Sequence, residues 1–190
     1  MTNPHRLTEV TGSASVRRLQ TRILVAKAVT EVWSAITETK HLGHWWTNGT
    51  VGKHAGEAIQ LAEPEDLNGT IICMRAPHVF EFTWHDNLSE AAHPEWIEPS
   101  TNGLVRFDLT EASGNNTLVT LMQFAPAESA FDAAAGWHEL LERLKEYLEL
   151  GVVADNPDRF NELKKIYAKS SAGDQDDSNN SSEGSPSASR

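Results

Sequence analysis

The stretch from Ala135 to Gly151, AGWHELLERLKEYLELG, sets the terms for the rest of the chain. Trp137, Leu140, Leu141, Leu144 and Leu148 recur at spacings of 3, 1, 3 and 4, which draws one apolar stripe along a helix. Glu139, Glu142, Arg143, Lys145, Glu146 and Glu149 fill the opposite side. Gly151 stands where a left-handed C-cap is wanted, and Asp132 or Ser129 is placed to cap the start. The spacing predicts a helix of about twenty residues, roughly 30 Å long. Such a helix needs a broad apolar partner, and the six strand-like runs before it are the only material able to supply one.

Those runs alternate with a period of two. In VRRLQTRILVA (Val16 to Ala26), Leu19, Ile23 and Val25 share one side, and Arg18, Gln20 and Arg22 the other. EAIQLAE (Glu57 to Glu63), GTIICMRA (Gly69 to Ala76) and VFEFTWHD (Val79 to Asp86) follow at hairpin spacing, with Asn68-Gly69 and Ala76-Pro77-His78 as turns. In the last of these, Phe80, Phe82 and Trp84 point one way, and Val79, Glu81, Thr83 and His85 the other. LVRFDLTE (Leu104 to Glu111) and TLVTLMQFA (Thr117 to Ala125) flank the turn SGNN. After the first run, Thr30 is placed to cap a short helix with Val32, Trp33 and Ile36 inward, and a second helical turn runs from Thr37 or Thr39 to about Trp45. Nothing alternates strand with helix as a parallel sheet requires. The class is therefore α+β, with a curved antiparallel sheet against the long helix.

Composition supports one core and excludes some partners. Of 190 residues, 39% are hydrophobic, with six Trp and six Phe, enough for a sizeable interior. The net charge of -11 opposes binding to nucleic acid or to an anionic membrane surface, since both start with phosphate neutralised by Lys and Arg. The single cysteine, Cys73, excludes an internal disulfide and reads as a small buried hydrophobe in TIICM. With no apolar leader in MTNPHRLTEV and no long apolar run, a soluble cytoplasmic protein is expected. Residues 1–12 read as a flexible N-terminus, 13–151 as the domain, and 152–169 as an accessory amphipathic helix. That helix is capped by Asn156-Pro157 and carries Phe160, Leu163 and Tyr167 on one face. The Ser-rich acidic segment 170–190 has too little to bury to offset its ordering entropy, and is expected to be disordered.

Four aromatic marks in order carry a family resemblance. Val32-Trp33 in the first helix, Trp45-Trp46 soon after, Phe82-Thr83-Trp84 in a strand and Gly136-Trp137 opening the last helix look like the SRPBCC, or START-like, superfamily. Within it the chain resembles the branch named after activators of heat shock protein 90 ATPase, over about residues 15 to 151. The resemblance implies a helix-grip fold, in which a curved sheet of six or seven strands wraps the long C-terminal helix and leaves a cavity between them. Three features depart from the pattern. Val29 and Thr39 stand where relatives often have proline, Gln123 stands where many have histidine, and the acidic connection from Asn87 to Thr101 is unusually long.

Chemistry is sparse. His41 and His44 share a helix face, but no third ligand completes a metal site, so no metal and no cofactor are expected. GxSxG, HExxH, P-loop and dinucleotide-binding signatures are absent. His78, His85 and His138 read as exposed or at a helix start, and Glu81 and Asp108, the carboxylates a cyclase-like base would need, alternate to the wet faces of their strands. No catalytic residue is assigned. The candidate cavity lining is Trp33, Trp45, Phe82, Trp84, Phe107, Phe124, Trp137 and Leu141, with Phe80 beside them. Plain core packing is the competing explanation for each of these side chains, since aromatics dominate cores whatever the function. The expected function is non-enzymatic binding of a small hydrophobic or aromatic molecule. A chaperone is the partner that the branch name adds. The alternatives are an enzyme of the polyketide cyclase kind using the same cavity, and a surface module that binds a chaperone.

Overall fold

The structure is a computed structural model, which describes residues 7–12, 16–62, 67–83 and 103–179. Its strands are β1 (Thr8–Gly12), β2 (Val16–Val25), β3 (Gly49–Val51), β4 (Ala58–Leu61), β5 (Leu67–Arg75), β6 (Val79–Thr83), β7 (Leu104–Ala112) and β8 (Asn116–Pro126). They form one eight-stranded sheet in the order β1-β2-β8-β7-β6-β5-β4-β3, with all neighbours antiparallel. The helices are α1 (Val29–Thr37), α2 (Thr39–Trp45), α3 (Ala130–Leu150) and α4 (Arg159–Asn179). The sheet curves around α3, and the architecture is the helix grip in class α+β.

α3 is 21 residues long and ends at Gly151, whose φ of 78° supplies the left-handed cap that a side chain would resist. Ser129 precedes it but makes no side-chain cap. The buried face is rotated from the expected stripe. Trp137, His138, Leu141 and Leu144 are buried, while Leu140 and Leu148 are only partly so. The cause is α4, which covers the His138 side of α3 through Leu163 and Tyr167, both fully buried. Near its start α3 is built of Ala130, Ala134 and Ala135, small enough to let β1 come within hydrogen-bond reach: the Thr8 hydroxyl donates to the Ala134 carbonyl at 3.3 Å.

Several expectations shift. Residues 8–12, expected to be loose, form edge strand β1, because Thr8 is buried and bonded on both sides. β3 is added at the far edge as a three-residue strand paired with β4. α1 starts at Val29, ahead of the expected Thr30 cap, and the Glu31 carboxylate closes its first turn by accepting from the Ala28 N–H at 3.2 Å. α4 continues past Lys169 to Asn179, since propagating a helix already docked costs less than starting one. Trp84, His85, the connection 87–101, residues 1–6 and the tail 180–190 lie outside the described residues.

Candidate functional site

The sheet register brings the aromatic side chains into rows on the concave face. Leu19 on β2 faces Gln123 on β8, Gln123 faces Val105 on β7, and Val105 faces Phe82 on β6. One row along, Thr21, Leu121, Phe107 and Phe80 line up in the same way. Apart from Gln123, every member of both rows is buried. α3 lays Trp137, Leu141 and Leu144 over these rows, α1 adds Trp33, and the end of α2 adds Trp45 and Trp46.

Five of the rings close a circuit. Phe80 meets Phe82 at a centroid separation of 5.1 Å, Phe82 meets Trp46 at 6.4 Å, and Trp46 meets Trp137 at 5.7 Å. Trp137 then meets Phe107 at 6.3 Å, and Phe107 returns to Phe80 at 6.5 Å. Trp33 joins from outside, edge-on to Phe80 at 6.5 Å. Such separations lie in the attractive range for offset and edge-to-face pairs. Trp33 and Trp46 are half-buried, so the circuit reaches the surface at Trp46.

The polar member of the site is Gln123. Its side-chain oxygen accepts from the Trp137 indole N–H at 2.6 Å, which ties the sheet to α3 through the same ring that completes the circuit. Gln123 is half-buried although its row neighbours Leu19 and Val105 are fully covered.

Of the residues expected to line a cavity, Trp33, Phe82, Phe107 and Trp137 come together, with Leu141 fully buried in the same core. Trp45 serves as an anchor: it is fully buried, its indole N–H donates to the Ala35 carbonyl at 3.0 Å, and its own carbonyl accepts from Arg143 Nε at 2.9 Å. Phe124 does not join the set. Because Gln123 and Ala125 point inward, the period of two sends Phe124 to the outer face, opposite Arg18. Trp46 and Gln123 are functional candidates that the lining set lacks. The Trp45-Trp46 pair and the unusual glutamine were the available signals, but a residue at a helix end has no periodicity to reveal its direction.

His41 and His44 turn to Tyr147 rather than to a metal. His41 Nδ1 lies 2.7 Å from the Tyr147 hydroxyl, and the His44 ring stacks on Tyr147 at 5.0 Å with planes 6° apart. Burial, with the charge of Lys40 behind it, pushes the His41 pKa down, which favours the neutral ring in this contact. Among the described residues no three His, Cys, Asp or Glu side chains are grouped to hold a metal ion. Glu81 and Asp108 both bind Arg106 on the outer face, at 3.0 and 2.7 Å, and the bond to Asp108 leads in raising the Arg106 pKa.

His138, expected to be exposed or at a helix start, is buried, with 2% of its surface accessible. Its Nδ1 is 3.0 Å from the Tyr167 hydroxyl and its Nε2 is 3.1 Å from Glu142, which Arg159 grips through two nitrogens at 2.8 and 2.7 Å. The Thr8 N–H donates to the same Tyr167 oxygen at 3.0 Å. Donors and acceptors all match if Tyr167 donates to Nδ1 and a neutral His138 donates from Nε2 to the carboxylate. Burial works to raise the Glu142 pKa, but the bonds from His138 and Arg159 overcome it and hold the carboxyl at about 2. A surface recess of about 410 Å³ adjoins this network, lined by Glu142, Lys145, Glu146, Glu149, Leu150 and Arg159. Its polar groups are already engaged within the chain, Glu149 with the Ala26 N–H at 2.7 Å and Lys145 with the Leu24 carbonyl at 3.0 Å, so it is a seam between α3, α4 and β2.

No helix among the described residues is long and apolar enough to cross a membrane. No curated protein matches the sequence. Among solved structures, the chain is similar to a conserved protein of unknown function from Enterococcus faecalis, with 18% identity, a TM-score of 0.70, and coverage of 87% of this chain and 91% of that one. It is similar to CalU16 from Micromonospora echinospora, with 19% identity, a TM-score of 0.65, and coverage of 86% and 98%. It is also similar to the Aha1 dimer from Colwellia psychrerythraea, with 19% identity, a TM-score of 0.56, and coverage of 70% and 97%. These likenesses establish the shared fold. The family profile described as "Activator of Hsp90 ATPase homolog 1-like protein" matches residues 27–149, from the lead into α1 to the last turn of α3, and the chain belongs to that family within the SRPBCC superfamily.

Proposed function

We propose that this chain binds a small hydrophobic or aromatic molecule between the concave sheet and α3, at the end where Trp46 and Gln123 remain half-buried. The observation that carries the reading is the closed circuit of Phe80, Phe82, Trp46, Trp137 and Phe107 with one amide at its rim. An apolar aromatic lining with few placed polar groups is how small-molecule sites are generally built. Core packing accounts for the fully buried rings. It gives no reason for a tryptophan and an inward-facing glutamine to be left partly open at the same end.

The polyketide cyclase alternative loses the two carboxylates it would use as base, since Glu81 and Asp108 are held by Arg106 on the opposite face. Association with a chaperone is the second reading, and what supports it is the family's own description. The single cysteine supports a cytoplasmic setting.

Titration with N-phenyl-1-naphthylamine, an apolar fluorescent probe, tests the binding reading. One equivalent should bind the folded protein, change tryptophan emission, and stabilise by RT ln(1 + [L]/Kd), about 2.7 kcal/mol at a hundredfold excess over Kd. No saturable binding to the folded chain, together with capture of a purified Hsp90-type chaperone, would replace it by the interaction reading.

A further inference from the structure

The Trp137–Gln123 bond fixes more than packing. An indole N–H can only donate, so the Gln123 oxygen must face Trp137 and the amide nitrogen must point away from it. Among the described residues no protein acceptor is bonded to that nitrogen, although Gln123 sits on the concave face between fully covered Leu19 and Val105. A half-buried amide with its acceptor side spent and its donor side open is a directional feature in an otherwise apolar wall. Left dry and unpaired beneath a bound molecule, it would cost about as much as a lost hydrogen bond.

We infer that Gln123 is the specificity-determining residue of the proposed site, and that its amide nitrogen donates to a carbonyl-type acceptor on a planar aromatic ligand seated against Trp46 and Trp137. This rests on the binding reading above and adds the ligand's chemical class. A carbonyl needs only the one donor that Gln123 offers. Trp137 also holds the amide in orientation, so little side-chain freedom is lost on binding.

The test compares two probes of matched shape, 2-acetylnaphthalene and 2-isopropenylnaphthalene, which differ in C=O against C=CH₂. The parent protein should bind the ketone about three- to tenfold more tightly, the range that one neutral hydrogen bond sustains. In Gln123→Leu the ratio should fall to about one. Gln123→Glu keeps an acceptor for the Trp137 indole while replacing the donor, so it should also lose the ketone preference, and it separates recognition from any structural effect of losing the Trp137 bond. Equal affinity of the parent for both probes, or a preference unchanged in both variants, overturns the role of Gln123 and leaves the pocket standing. Binding of neither probe to the folded parent removes the pocket and this inference together.

Discussion

Thr8 and Tyr167, 159 positions apart in the chain, are joined by a 3.0 Å hydrogen bond from the Thr8 backbone N–H to the Tyr167 hydroxyl. The same oxygen reaches His138, so β1, α3 and α4 converge on one phenol. The accessory helix is thereby built into the domain instead of trailing from it. Replacing Tyr167 by Phe preserves the ring but strands the Thr8 N–H and His138 Nδ1 away from water. The expected loss is about 1 to 3 kcal/mol in urea unfolding, the desolvation penalty of a buried polar group. A change within about 0.3 kcal/mol would mean that water reaches this junction.

Trp137 closes the aromatic circuit and is 4% exposed. Trp137→Ala should cost about 3 to 5 kcal/mol through lost transfer energy and the cavity left behind. Trp137→Phe should cost less, because it keeps most of the ring and gives up the bond to Gln123. Denaturation midpoints of the two variants check the order, and equal costs would show that the hydrogen bond dominates.

Acid should loosen the α3–α4 seam. The Glu142 carboxyl lies at about 2 in the folded chain against an ordinary 4.5, a depressed value, so its contribution is complete above pH 4.5 and is lost as pH falls towards 2. The stability difference between the parent and Glu142→Gln should therefore be largest above pH 4.5 and shrink across that window. Thermal melts at half-unit pH intervals measure it. A difference that stays constant down to pH 2 would show that the ion pair with Arg159 does not set the carboxyl's affinity for protons.

Truncation after Lys169 should leave the melting temperature within about 1 °C, since Leu163 and Tyr167, which α4 buries fully, both precede the cut. A fall of several degrees would place stabilising contacts beyond Lys169.

What could be read from the chain depended on whether local pattern or tertiary cover decided a residue's place. α3 was legible because its apolar spacing and Gly151 are both local. β1 and β3 were not, since TEVTG and GTV are too short for alternation to show and are strands only because β2 and β4 offer an edge. In β8 both faces carry apolar side chains, Leu118, Met122 and Phe124 against Val119 and Leu121, so alternation alone gave no direction. Phe124 is expected in the cavity lining, whereas the register turns it outward and Gln123 inward. His138 is buried by a helix that follows it in sequence, and no periodicity within α3 contains that fact.

The sheet order sets a timetable for synthesis. β2 is made before its inner neighbour β8, which pairs Val25 with Thr117 and Val16 with Pro126, across some hundred residues of chain. Until β8 emerges, β2 has only edge strand β1 beside it, and the concave face has no α3 to cover Leu19 or Phe80. The nascent chain thus carries uncovered apolar strand faces until β8 and α3 are made, and the domain closes only then.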